Sequence, residues 1–242
     1  MTDYVLFKYK RIDKNLLKSL VHNEIYFASP NRLNDPFDCR VDILKALENA
    51  ISRAPIQSRT KLEKLRGMRE FFEKVQTDFE KVGVCSFSLD LKCPLMWAHY
   101  ADDHRGICLT YSFPESFFYE NAGKILGTDR VDYGINPLSD WFLNVAPSFN
   151  SFEEFGIALI KKVLTVKAKP WDYEKEVRIL RKTEGPQVLD MKYLKQVCFG
   201  LRTSESDMAL VKALMVHCGY DVVLCKMTQS AGNDFDIDAV EI

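Results

Sequence analysis

The chain has 242 residues, 47% apolar and 28% charged, enough to bury a full core and ordinary for a globular protein. Its 33 basic and 34 acidic side chains leave a net charge of −1, which argues against a general nucleic-acid coat or a polybasic membrane binder, since both rest on summed positive charge, and leaves room for a local basic patch. The seven cysteines, odd in number and without a C-x-x-C pair, read as reduced buried thiols rather than a disulfide framework.

The first residues carry none of the features of a signal peptide, and no apolar run approaches the ~20 residues that span a bilayer, so a soluble cytoplasmic protein is expected. Tyr4 to Tyr9 alternates as a strand that ends in a basic group, Lys8, Lys10 and Arg11. Asp13 is placed to cap a short helix from Lys14 to Val21, and Glu24 to Ala28 reads as a second strand. The turn from Asn31 to Asp38, NRLNDPFD, sets amides and acids around a proline. Side-chain-to-backbone hydrogen bonds explain such a turn without any further role.

Residues 41 to 82 read as helical, with Pro55 separating two helices. Leu62, Leu65, Phe72, Val75, Phe79 and Val82 recur at helical spacing, and the charges between them form a solvated face. From Val84 to Ser88 the alternation is that of a strand, and Pro94 then opens a short helix carrying Trp97, His99 and Tyr100. Asp102 to Gly106 break that helix, and Ile107 to Tyr111 return as a strand.

The next segment, 113 to 170, is the least regular. It holds a short strand at Val131 to Tyr133, prolines at Pro137 and Pro147, and a helix from Phe152 to Val163 capped by Ser151. Trp141, Phe142 and Phe149 read as core or lid residues. In a strand from Glu176 to Leu180, Glu176, Arg178 and Leu180 share one face, and an ion pair between the first two is the plain structural expectation. Short strands at Leu189–Asp190 and Val197–Gly200 precede a helix from Glu205 to Cys218, capped by Ser204 and stopped by Gly219. Strands at 221 to 226 and 235 to 242 close the chain. There are no repeats, and no boundary divides the chain.

Five blocks, KYK-R, IYFASPNRLNDPFD, CSFS with LMWAHYADDHRGICL, WDYEKEVRI and VCFGLRTSESD, run in order from Lys8 to Asp207. Together they resemble, over most of the chain, a bacterial family catalogued as domain of unknown function 2971, whose name carries no activity. A second resemblance is to the ADP-ribosyltransferase superfamily. Its three elements are matched by a strand ending in a polar cluster, a Ser-Phe-Ser strand and a Glu-x-Glu ahead of an alternating strand. That resemblance implies NAD as substrate in a cleft of a split antiparallel sheet.

Under that resemblance Tyr9, with Lys8 or Arg11, meets the nicotinamide ribose, and Ser86 or Ser88 forms the wall. Glu176 stabilises the oxocarbenium-like sugar, and Glu174 is the upstream member of the pair. Trp97, Tyr100 or Phe37 stacks on nicotinamide, and Arg105 meets a phosphate. The chain lacks the Ser-Thr-Ser of that superfamily and the isolated Arg or His of its first strand.

Two other function classes fit the same residues. His99 with Asp102 or Asp103 is placed to act as a general base in RNA or nucleotide processing, with Lys8, Lys10, Arg11 and Arg105 on phosphates. A non-catalytic ligand-sensing or interaction domain of a defence or stress system is the other, while the transferase resemblance also allows a toxin or defence effector. The non-catalytic domain expects Glu176 ion-paired and away from any cleft, whereas the transferase expects Glu176 open on a cleft floor. A metal is not expected, because His99 and His104 are five apart with no Glu of an H-E-x-x-H motif between them.

The reading is a single α+β domain of small, mostly antiparallel sheets, with helical insertions at about 41–82 and 113–165. Residues around Lys8, Asn34, Asp35, Trp97 and Glu176 are expected to converge on one pocket that takes a small-molecule or nucleotide ligand. A protein or nucleic acid is the candidate acceptor, and no membrane partner is expected.

Overall fold

A computed structural model describes residues 3–144, 148, 151–232 and 234–242; Pro147 and Phe149 lie outside them. The elements follow in order β1 (Tyr4–Lys10), α1 (Lys14–Val21), β2 (Glu24–Phe27), α2 (Ile43–Arg53), α3 (Ile56–Arg66), α4 (Arg69–Phe79) and β3 (Gly83–Ser88). Next come α5 (Pro94–Tyr100), β4 (Ile107–Phe113), α6 (Glu115–Glu120), β5 (Ile125–Arg130), β6 (Asp132–Gly134), α7 (Pro137–Asn144) and α8 (Phe152–Val163). The last are β7 (Val166–Ala168), β8 (Glu176–Arg181), β9 (Gly185–Val188), β10 (Leu194–Phe199), α9 (Glu205–Cys218), β11 (Val223–Gln229) and β12 (Ile237–Glu241).

The α+β class is observed. Among the described residues eight strands form one sheet in the order β12-β11-β10-β4-β1-β3-β8-β5, antiparallel except for β10 with β11. Two pairs, β2 with β9 and β6 with β7, stand apart from it. The central strands therefore form one broad sheet rather than several small ones.

Local chemistry sets the helix ends. The Asp13 carboxylate accepts the Asn15 and Leu16 N–H groups at 2.9 Å and starts α1. Ser204 caps α9 through the Asp207 N–H at 3.1 Å, and Gly219 ends it at φ 76°, where a side chain would be strained. These two helices cover one sheet face, with Leu16, Leu20, Met208 and Val211 packed against Leu6, Phe87 and Val197.

The helical stretch 41–82 forms three helices, not two, because Gly67 and Met68 break it again between α3 and α4. The second predicted insertion holds α6, α7 and α8 but also β5 and β6. The two insertions pack on each other: Leu47 and Leu62 share a core with Leu138, Phe142 and Leu159, all at most 1% exposed. All seven cysteines are free, five of them buried. Among the described residues no helix is long and apolar enough to cross a membrane.

Candidate functional site

The broad sheet parts at its centre. β1 and β3 are paired at one register position, Phe7 opposite Ser88. Further along β3 the edge is taken instead by Ala28, which exchanges two backbone bonds of 2.8 Å with Val84. Between these points the Ser86 carbonyl, left without a strand partner on that side, accepts Lys8 Nζ at 2.8 Å. The parting opens into a cleft of about 920 Å³. Lys8, Tyr9, Arg11 and Asn34 line it, as do Ser88, His99, Tyr100, Glu174 and Glu176.

One end of the cleft is cationic. Lys8 and Lys10 lie two apart on β1 and so share a face. Lys8 Nζ rests on Ser86 O, on Cys85 Sγ at 3.2 Å and over the Phe87 ring at 4.9 Å, none of which brings a counter-charge. The neighbouring Lys8 charge, then burial, lowers the Lys10 pKa to about 8, with Asp13 and Cys85 opposing.

The other end rests on a buried ionic cluster. Arg178, 0% exposed, uses all five guanidinium N–H groups. It is bidentate to Asp38 at 2.9 and 2.6 Å, bidentate to Glu176 at 2.8 and 3.0 Å, and donates to the Leu164 carbonyl at 2.8 Å. Lys167 Nζ reaches Glu174 at 2.6 Å, Glu176 at 3.3 Å and Asp38 at 3.5 Å. Burial opposes the Glu176 charge, but Arg178 outweighs it and holds the carboxyl down at about 2. Glu174 shifts the other way: burial raises its pKa against the pull of Lys167. The Tyr100 hydroxyl donates to Glu174 Oε1 at 2.5 Å while accepting from Asn34 Nδ2 at 3.2 Å, which ties the 31–38 turn to α5.

The Glu176–Arg178 pair expected from their spacing is present, and Glu176 is 5% exposed yet lines the cleft. It thus has the ion pairing expected of a structural residue and lies at the cleft, but it is buried and paired rather than open on the cleft floor as a transferase glutamate was expected to be. Tyr9 lines the cleft too, but its hydroxyl donates to the Asp90 carbonyl at 2.5 Å. Ser88 Oγ donates to the Glu174 carbonyl at 2.7 Å, so it braces the carboxylate segment.

Four expected site residues lie elsewhere. Trp97 is fully buried, its indole N–H donating to Leu91 O at 2.8 Å and its ring edge-on to Tyr9, so it has no face for a nicotinamide. Arg105 is ion-paired with Asp102 at 3.1 Å and Asp103 at 3.0 Å on the surface, away from the cleft lining. Those pairs also take the two carboxylates that a His99 general base was expected to use. His99 itself is exposed at the cleft beside the Tyr173 ring. Asp35 and the 81%-exposed Phe37 line a different cavity.

Sequence reasoning missed Asp38 and Lys167 as site residues. Asp38 stood inside the quoted turn. Lys167, in a short apolar–Lys–Ala strand, carried no signal of burial. Among the described residues no three His, Cys, Asp or Glu side chains are grouped to hold a metal ion.

A family model described as Protein of unknown function (DUF2971) matches residues 96–179. The likeness thus covers about a third of the chain. It is narrower than the Lys8-to-Asp207 span of the quoted blocks, and it takes in Tyr100, Lys167, Glu174, Glu176 and Arg178 but not β1. No curated protein and no solved structure matches the chain, and nothing in the comparisons supports the transferase resemblance.

Proposed function

We propose that the cleft binds a phosphorylated, nucleotide-type ligand, with NAD the first to test, its phosphates against Lys8, Lys10 and Arg11. The observation that carries this reading is the Lys8–Lys10 pair. Two cations side by side on one strand, with no carboxylate among the contacts of Lys8, are repulsive until an anion sits between them. At the other end Glu174, held by Tyr100 and Lys167, retains lone pairs and so can accept from ligand hydroxyls such as those of a ribose, whereas Glu176 is taken up by two bonds from Arg178, one from Lys167 and one from the Ser86 side chain. Both partners of Glu174, Tyr100 and Lys167, line the cleft.

The test is calorimetry with NAD and, separately, inorganic pyrophosphate, on wild type and on Lys8→Met/Lys10→Met, with nicotinamide release followed in the NAD samples. The expected result is NAD binding that weakens by about tenfold or more in the variant, a loss of the size charge-assisted bonds give. Binding of pyrophosphate without NAD removes the dinucleotide from the reading. No binding of either at millimolar concentration overturns the site. Release of nicotinamide that is lost in Glu174→Gln would extend the reading to glycosyl transfer.

A further inference from the structure

The cleft shares a wall with a second, half-open cavity of about 290 Å³, between α2, the start of α7 and β7. Asp38 and Lys167 line both spaces, so the buried ionic cluster separates them. The floor of the cavity is apolar, formed by Val41, Ala46, Leu138 and Val166. Apart from the shared wall, its charged lining is Asp35 and Asp42 against Lys45, opposite in balance to the cationic end of the cleft.

The cluster behind that wall is not neutral. Asp38, Glu174 and Glu176 are three carboxylates against two cations, Lys167 and Arg178, and all five are at most 7% exposed. A buried excess of one negative charge is costly unless a cation or a proton joins it. The cleft side already offers Lys8 and Lys10, which an anionic ligand neutralises, whereas the cavity side offers further carboxylates. The N-terminus of α2 does not call for an anion there, because Asp42 already caps it through the Lys45 N–H at 2.9 Å.

We infer that this cavity is a second ligand site, for a small organic cation with an apolar body, its charge on the Asp35–Asp38–Asp42 side and its chain on the Ala46–Leu138 floor. The site needs no ligand in the cleft, so its test is independent of NAD.

The probes are pentylammonium and pentan-1-ol, alike in length and different in charge, titrated calorimetrically into the intact protein. Pentylammonium is expected to bind about tenfold or more tightly than the alcohol, the size of one charge-assisted contact. Asp35→Asn/Asp42→Asn keeps the α2 cap, since Asn caps as well as Asp, and is expected to weaken pentylammonium by about tenfold. Ala46→Met fills the floor and is expected to abolish binding, with its unfolding curve confirming a folded chain. Equal binding of the two probes, no binding of pentylammonium at millimolar concentration, or undiminished binding in folded Ala46→Met would each overturn the inference.

Discussion

At the scale of single residues, Arg178 decides whether the cluster is affordable. A guanidinium with every donor matched, and two carboxylates each held by a planar fork, is the geometry in which a buried ion pair repays its desolvation. Removing it leaves Asp38 and Glu176 facing Lys167 alone. Arg178→Met is therefore expected to lose about 3–5 kcal/mol of stability, read from the urea midpoint at unchanged slope. A loss under about 1 kcal/mol would mean that the carboxylates relax to water. The same pairing fixes a pH dependence. The Glu176 carboxyl falls from an ordinary 4.5 to about 2, so its contribution is complete above about pH 4.5 and disappears as the pH falls through 2. In Arg178→Met, acid unfolding monitored by circular dichroism should begin at higher pH than in wild type.

At the scale of elements, the approach of the α5–β4 turn to the end of β1 holds the lysines in place. A Cβ on Gly106 would stand 2.2 Å from the Lys10 carbonyl and 2.9 Å from that of Ala101, both backbone atoms that cannot swing aside. Gly106→Ala is expected to cost about 1–3 kcal/mol, as overpacking does, and to weaken pyrophosphate binding by displacing Lys10. Unchanged affinity in a destabilised Gly106→Ala would show that the anion site does not depend on this turn. Elements with strong local signals were legible beforehand: β1 from its alternation, α1 and α9 from Asp13, Ser204 and Gly219. β5 was not, because Ile125–Arg130 is a half-exposed edge strand with a register shift at Gly127 and so shows no clean period of two. In the site, Lys8, Asn34, Tyr100 and Glu176 could be gathered from motifs. Trp97 could not be placed, since a helix of seven residues does not reveal which aromatic faces the core. Lys167 was invisible because its burial depends on Asp38 and Glu174, brought beside it by the fold.

At the scale of the whole molecule, the sheet parting sets a cationic surface and an acidic cavity on opposite sides of one buried cluster. The unliganded protein then carries the cost of the lysine pair. With its folded pKa at about 8, against an ordinary 10.5, Lys10 binds fewer protons folded than unfolded across that interval. Stability from this group therefore rises with pH between about 8 and 10.5, and the penalty is fully present below 8. An anion reverses the sign. It favours the charged lysine, so its binding takes up a proton near pH 8, and it binds the folded chain selectively, stabilising it by about 2.7 kcal/mol at a hundredfold excess over Kd. Pyrophosphate should consequently raise the unfolding temperature most at neutral pH, with the rise fading as the pH passes 8. Calorimetry at pH 8 in buffers of different ionisation enthalpy should report the uptake, and Lys10→Met should abolish both effects. A pyrophosphate shift independent of pH, persisting in Lys10→Met, would place the anion elsewhere and leave the lysine pair without its counter-charge.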